Sequence, residues 1–202
     1  MKESGAPAAF PGTTNGRAGI RTRPGYDFRS VHGRTADWLN MHGLTRITVG
    51  ISEMKVSQDA NAFLITHSLG PCIGLVVYDT RMHAAGLLHL QLPESKGHER
   101  KAQENPAMFA DTGIPLLLDK LYGLGAQKRD LQVSIFGGAS MLTDDQIFKI
   151  GIKNARAAKK LLWQHCLMIK DEDTGGEASR TVSVEVGTGR IRVQKNGKVY
   201  EY

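Results

Sequence analysis

The sequence is poor in cysteine and in aromatic residues, and it has no long apolar run. Two cysteines occur in 202 residues, and aromatic side chains make up 6% of the chain. Cys72 and Cys166 form neither a CxxC redox pair nor a set of zinc ligands, so we expect no metal and no cofactor. No apolar stretch approaches the roughly 18 residues of a membrane span, and residues 5–12 are too short and too broken for a signal peptide. A cytoplasmic protein is therefore expected.

The positive charge is concentrated near the start of the chain. The net charge is +6 at pH 7, and residues 1–46 contain seven basic and three acidic side chains. A basic, glycine-rich segment without a recognition fold is weak evidence for nucleic-acid binding, so we expect no nucleic-acid partner. We predict a flexible basic tail rich in glycine and proline over residues 1–45, and a folded domain over residues 46–202.

Hydrophobic periodicity predicts a single domain of mixed α and β structure. Two segments have helical character, residues 105–126 and 143–164, with a capping box at Thr143. Asn196–Gly197 is a strong hairpin signal between the last two strands. The fold class is thus α/β, in the sense of mixed α+β, with β-sheets flanked by helices. Strands are predicted at residues 47–57, 63–68, 73–78, 87–92, 131–136, 180–186, 190–195 and 199–202.

Cys72 lies in a turn bounded by Gly70 and Gly74, directly before an apolar strand. His89 follows 17 positions later, an interval that suits two adjacent strands joined by a turn. A thiol beside an imidazole is the minimal equipment for nucleophilic catalysis, because the imidazole generates the attacking thiolate and later returns the proton. The alternative is that Cys72 is a small buried core residue, since cysteine is among the most buried residue types.

Several short motifs in register resemble the chemoreceptor glutamine deamidases of the CheD family. The resemblance covers residues 47–195 approximately, and it implies the CheD-like cysteine hydrolase fold. Its motifs are Thr66-x5-Cys72, Asp79, His89-x3-Pro93, Phe109 to Pro115, Gly137-Gly138-Ala139, Ile150-Gly151-x2-Asn154, and Gly175-Gly176 followed by Arg180.

The resemblance implies a catalytic cysteine, histidine and threonine at Cys72, His89 and Thr66. The expected reaction converts glutamine side chains of methyl-accepting chemotaxis receptors to glutamate through a Cys thioester, with release of ammonia. Thr66 would orient the imidazole, although an ordinary β-branched strand residue is the alternative.

Two other function classes stay open. The first is an adaptor that binds a CheC-type phosphatase with little catalysis of its own. The second is a structural or interaction domain with a buried Cys72. The expected partners are the receptors, a CheC-type phosphatase, and membrane receptor arrays that the protein meets only peripherally.

The residues around Cys72 leave several candidates for the oxyanion donor. Pro71 has no N–H, so a donor before the nucleophile must be Gly70, the N–H of Cys72 itself, or a group elsewhere. Gly137 and Gly138 are either a further donor pair or a site of close packing.

Four residues outside this set carry expectations of their own. We expect His67 to face away from Thr66, because strand neighbours alternate, and Cys166 to be a buried structural thiol. Arg180 is a candidate for positioning a loop over the site, and Asn154 for capping or orienting the same region.

Overall fold

A computed structural model describes residues 43–140 and 145–202 of the chain. The predicted tail, apart from residues 43–45, and the predicted cap at Thr143 lie outside the described residues. The ten described strands are β1 (Thr45–Thr48), β2 (Met54–Ser57), β3 (Ala62–Leu69), β4 (Ile73–Asp79), β5 (Ala84–Leu90), β6 (Leu131–Gly137), β7 (Ile169–Thr174), β8 (Arg180–Glu185), β9 (Ile191–Lys195) and β10 (Lys198–Glu201). The described α-helices are α1 (Glu99–Glu104), α2 (Ala110–Gly123) and α3 (Asp145–Gln164).

The strands form two sheets of five strands each. The first sheet has the order β1-β3-β8-β9-β10, and the second has the order β2-β5-β4-β6-β7. The pairs β1–β3 and β6–β7 are parallel, and the others are antiparallel. The prediction of a mixed α+β fold with helices flanking β-sheets is confirmed.

Alternation along β4 divides the apolar core into two layers. Leu75 and Val77 point toward α2 and α3, where they pack in a cluster with residues such as Leu117. Val76 points the other way and packs with side chains of the first sheet, Val182 among them. Because β4 is apolar on both faces, it lies at the centre of three layers, which are the first sheet, the second sheet and the helices.

The prediction of a single strand over residues 47–57 is wrong. The segment forms two strands in different sheets, β1 in the first and β2 in the second. Between them the Glu53 N–H donates to the Gly50 carbonyl, and Ser52 has a φ of 59°. The chain therefore turns at this point and crosses from one sheet to the other, which an apolar pattern alone does not reveal.

Other boundaries also differ from the sequence prediction. Helix α1 lies in a segment for which no helix is predicted, and a 3-10 turn at Pro106–Met108 precedes α2, which contains Pro115. Strand β7 was missed because acidic residues dominate it. The Asn196–Gly197 hairpin is confirmed, with φ angles of 52° and 72° at its two central residues.

Cys166 is exposed, so the prediction of a buried thiol is wrong. Its φ of 52° ends α3 in a left-handed turn. The Cys166 N–H donates to the Trp163 carbonyl, and the Leu167 N–H donates to the Leu162 carbonyl. This is a Schellman cap, in which Leu162 and Leu167 are buried while Cys166 is turned outward.

Candidate active site

Thr66 and His89 meet between the two sheets. Thr66 follows Leu64 on the inner face of β3, and His89 follows Leu87 on the inner face of β5. The Thr66 Oγ1 lies 2.7 Å from His89 Nδ1, and it also donates to the Val49 carbonyl at 2.8 Å. A hydroxyl has one proton to donate, so Thr66 must accept from the Nδ1–H of the neutral imidazole. The lone pair of that imidazole is therefore on Nε2.

His89 is held as an uncharged base. Its side chain is 1% exposed, and its Nε2 has no hydrogen-bond partner among the residues that the structure describes. Burial lowers the pKa of His89 from 6.5 to about 4. At neutral pH the imidazole is thus free to accept a proton at Nε2.

Cys72 lies just before β4, on the same side of the second sheet as His89. The register pairs Gly74 with His89, and Cys72 precedes Gly74 by two residues, so both side chains project toward the first sheet. The thiol is half-buried and packs against the core between the sheets. Burial raises the pKa of Cys72, and a hydrogen bond from its own backbone N–H offsets part of that shift. The resting site therefore holds a neutral thiol and a neutral imidazole.

The turn before Cys72 begins at a bulge in β3. Thr66 pairs with Val182 and Leu69 pairs with Arg180, so β3 has one residue more than β8 over this stretch. Ser68, inside the bulge, has a φ of 57°. The extra residue bends β3 away from the ladder immediately after Thr66, and Cys72 follows three residues beyond Leu69.

Gly70 and Gly138, two of the three glycines predicted as oxyanion donors, use their N–H groups in backbone hydrogen bonds, and the third, Gly137, packs against Cys72. The Gly70 N–H donates to the Ser68 carbonyl, and the Gly138 N–H donates to the Cys72 carbonyl, both at 2.8 Å. A Cβ at Gly137 would lie 2.2 Å from the Cys72 oxygen. The two glycines at 137 and 138 thus permit close packing against the Cys72 backbone, and the N–H groups of Gly70 and Gly138 are already engaged.

Arg180 braces the loop that supports this packing. It is 2% exposed, and it donates to the carbonyls of Gly175 and Ala178 and to Asp173. The Gly175 N–H in turn donates to the Gly137 carbonyl at 2.8 Å. Arg180 therefore acts on the site indirectly. It holds the loop at Gly175, and this loop contacts the Gly137 backbone.

His67 is separated from the site, as alternation predicts. Its Nε2 lies 2.7 Å from Arg46 Nη2, on the face of β3 opposite to Thr66. Burial, together with the Arg46 guanidinium, lowers the pKa of His67. His67 therefore serves as a matched control for His89.

Sequence reasoning missed the turn at Ser52 and Glu53, which holds the backbone of His89. Ser52 and Glu53 pair through their backbones with His89, and the Ser52 hydroxyl donates to Gln91 Oε1 at 2.8 Å. The Val49 carbonyl, which orients Thr66, also belongs to this segment. No sequence signal could have found a backbone carbonyl, since every residue has one.

Comparison with known proteins places the chain in a family. The family model for CheD chemotactic sensory transduction matches residues 91–195. The probable chemoreceptor glutamine deamidase CheD 1 of Syntrophus aciditrophicus (strain SB) is 44% identical over 151 residues, which are 75% of this chain and 94% of the relative. The chain belongs to the CheD family. Two further relatives with the name probable chemoreceptor glutamine deamidase CheD are 42% and 38% identical. They come from Solibacter usitatus (strain Ellin6076), with 78% of this chain and 94% of the relative covered, and from Thermococcus kodakarensis (strain ATCC BAA-918 / JCM 12380 / KOD1), with 77% and 97% covered.

CheD membership confirms the resemblance that the sequence motifs indicated. The matched region of the family model begins at Gln91, two residues after His89, so it does not include Thr66, Cys72 or His89. In residues 43–140 and 145–202, no helix combines the length and the apolar character needed to cross a membrane.

Proposed function

We propose that this chain is a protein-glutamine deamidase that acts in the cytoplasm on methyl-accepting chemotaxis receptors. The observation that carries the proposal is the hydrogen bond from His89 Nδ1 to Thr66, which leaves Nε2 without a partner among the described residues, on the side of the sheet where Cys72 lies. The names of the CheD relatives supply the substrate class. Cys72 is the nucleophile, His89 the acid and base, and Thr66 the residue that orients the imidazole.

The first step forms a tetrahedral intermediate. His89 Nε2 takes the thiol proton as Cys72 Sγ bonds to the carboxamide carbon of the substrate glutamine, and the C=O electron pair moves to the oxygen. Because both groups are neutral at rest, proton transfer accompanies the attack. The backbone N–H of Cys72, which faces its own thiol, is the donor proposed for the oxyanion.

The second step releases ammonia, and the third releases glutamate. Protonated His89 gives its proton to the amide nitrogen, the C–N bond breaks, and a thioester on Cys72 remains. His89 Nε2 then takes a proton from water as the water oxygen adds to the thioester carbon. Collapse of this intermediate expels Cys72 Sγ, which regains the proton, so the sum is glutamine plus water to glutamate plus ammonia.

A CheC-type phosphatase is a second partner that the family resemblance implies. The adaptor alternative keeps phosphatase binding without the chemistry. Loss of ammonia release in Cys72→Ala with retained phosphatase binding would separate the two activities.

The test of the enzyme is ammonia release from a soluble receptor cytoplasmic fragment. We expect Cys72→Ala to abolish release and His89→Ala to lower turnover by about 10²-fold or more. The controls Cys166→Ala and His67→Ala remove the other cysteine and a histidine on the opposite face of β3, and both should retain near-normal turnover. Undiminished release by Cys72→Ala, or a larger loss in His67→Ala than in His89→Ala, would overturn the proposal.

A further inference from the structure

Asn154 ties together the two backbone segments that carry Cys72 and His89. It lies on α3 with 0% exposure, and its Nδ2 donates to the Pro71 carbonyl at 2.9 Å and to the Gln91 carbonyl at 2.7 Å. Pro71 immediately precedes Cys72, and Gln91 follows His89 by two residues. One amide group thus uses both of its N–H donors on the flanks of the proposed catalytic pair.

The two hydrogen bonds of Asn154 lie where the ladder of backbone hydrogen bonds between β4 and β5 stops. The last pair in register is Ile73 with Leu90, so Cys72 and Gln91 would form the next pair. The Gln91 N–H instead donates to the Met108 carbonyl at 2.9 Å, which draws the end of β5 toward the 3-10 turn. The two strands therefore diverge beside Cys72, and the Asn154 side chain spans the gap between them.

Helix α3 is shaped to bring Asn154 to this position. Gly151, one turn before Asn154, packs so closely that a Cβ there would lie 2.7 Å from the Gly138 oxygen and 2.8 Å from the Ala139 oxygen. Gly138 itself donates to the Cys72 carbonyl. The helix thus contacts the Cys72 turn directly through the side chain of Asn154, and indirectly through Gly151, which packs on the backbone of Gly138 and Ala139.

The orientation of the amide is fixed by its partners. Two carbonyl oxygens within 2.9 Å of one atom require that atom to be the nitrogen. The Asn154 Oδ1 has no partner in the described part of the chain. A buried acceptor without a partner is unfavourable. The favourable contribution of this side chain therefore comes from its two N–H donors.

We propose that Asn154 is a positioning residue, which holds the Cys72 turn at a fixed separation from the end of β5 and so keeps the thiol within reach of His89 Nε2. The inference rests on the proposed function, because the hydrogen bonds of Asn154 affect catalysis only if Cys72 and His89 are the catalytic pair. Neutral thiol and neutral imidazole react only if the proton can pass between them, and small displacements of such groups reduce turnover steeply. Asn154 touches neither group and acts through the two carbonyls.

The experiment follows the reactivity of Cys72 as well as turnover. All variants carry Cys166→Gly, which removes the exposed thiol and suits the left-handed turn at that position. Asn154→Leu keeps most of the side-chain volume without the donors, and Asn154→Ala removes both. His89→Ala is the positive control. Leu162→Ala, a buried position two turns further along α3, controls for loss of stability. The rate of Cys72 alkylation by iodoacetamide is measured against pH, together with kcat and KM.

The expected result is a loss of kcat of about 10-fold to 10²-fold in the Asn154 variants, with KM changed by less than about threefold because the Asn154 side chain is fully buried. Their alkylation profile should move toward that of His89→Ala, while Leu162→Ala keeps the parent profile. The inference fails if either folded Asn154 variant keeps the parent profile and kcat while His89→Ala does not. It also fails if Leu162→Ala shifts the profile equally. An unchanged profile in His89→Ala would overturn the proposed function, and the inference with it.

Discussion

Thr66 and His89 come from different sheets, yet the Thr66 hydroxyl lies 2.7 Å from His89 Nδ1 and donates a hydrogen bond to the Val49 carbonyl. This contact sets the tautomer of the imidazole and leaves Nε2 as the basic nitrogen. The base is thus prepared by the way the two sheets pack, before any substrate binds.

Thr66→Val tests this relationship, because valine keeps the shape of threonine without the hydroxyl. The Nδ1–H would lose its acceptor in a buried site, which destabilises the fold by about 1–3 kcal/mol. Because the tautomer of His89 is then no longer fixed, kcat should fall by roughly 10-fold to 10²-fold. Thr66→Ser keeps the hydroxyl and should stay within about threefold of the parent chain. Steady-state ammonia release measures both variants. Equal turnover of the Val and Ser variants would show that Thr66 is only a strand residue.

The pH dependence of the rate should carry the signature of a buried, neutral histidine. Since burial lowers the pKa of His89 to about 4, the imidazole stays able to accept a proton until the pH falls through about 4. The acid limb of kcat/KM should therefore lie near that value rather than near the ordinary histidine value of about 6.5. An acid limb near 6.5 would mean that His89 is solvated or already charged in the working enzyme.

The same shift has a consequence for stability. A histidine whose pKa is lower in the folded state than in the unfolded state opposes folding as it takes up a proton, so stability declines as the pH falls from about 6.5 toward 4. His89→Gln removes this titration. Urea unfolding of the two proteins at pH 7 and at pH 4.5 should show a smaller pH effect in the variant, and an equal effect in both would contradict the burial of a neutral His89.

Gly137→Ala tests the close packing behind Cys72. The new methyl group would lie 2.2 Å from the Cys72 oxygen, at a φ of 107°. Crowding and strain together should destabilise the fold by about 2–4 kcal/mol and reduce turnover by displacing the nucleophile. Gly175→Ala is the matched control, with a φ of 79° and no described atom within 4 Å of the new Cβ. If the two variants lose the same stability and activity, positive φ rather than crowding is the cause.

Cys166→Gly tests the cap at the end of α3. Glycine adopts the φ of 52° at this position without the steric cost that cysteine meets, so the variant should be more stable by about 0.5–1 kcal/mol. Turnover should not change, because Cys166 is exposed and lies outside the site. Urea unfolding measures the gain, and a loss of stability would show that the thiol makes a contact that the cap geometry does not explain.

The sequence predicted the positions of Cys72 and His89 on adjacent strands better than the contacts that support these two residues. Glycines around Cys72 and an apolar strand before His89 are local features, and they place both residues at strand ends. The contacts of Asn154 join residues 83 and 63 positions apart, and no local pattern encodes such a distance. The prediction of one strand over residues 47–57 failed because two short strands separated by a turn at Ser52 have the same sequence pattern as one continuous strand.

Cys166 shows how an apolar run can mislead. The neighbours Leu162 and Leu167 are buried as expected, but the left-handed turn between them points the intervening side chain outward. Burial follows the backbone geometry of the cap rather than the mean hydropathy of the segment.

The most direct test of the central claim is mass spectrometry of a receptor cytoplasmic fragment before and after incubation with the full chain. Conversion of amide to acid through a Cys72 thioester predicts a gain of about one dalton at specific glutamines, and no gain with Cys72→Ala at the same concentration. No gain on receptor fragments that other deamidases of this class modify, or an equal gain with Cys72→Ala, would contradict the account.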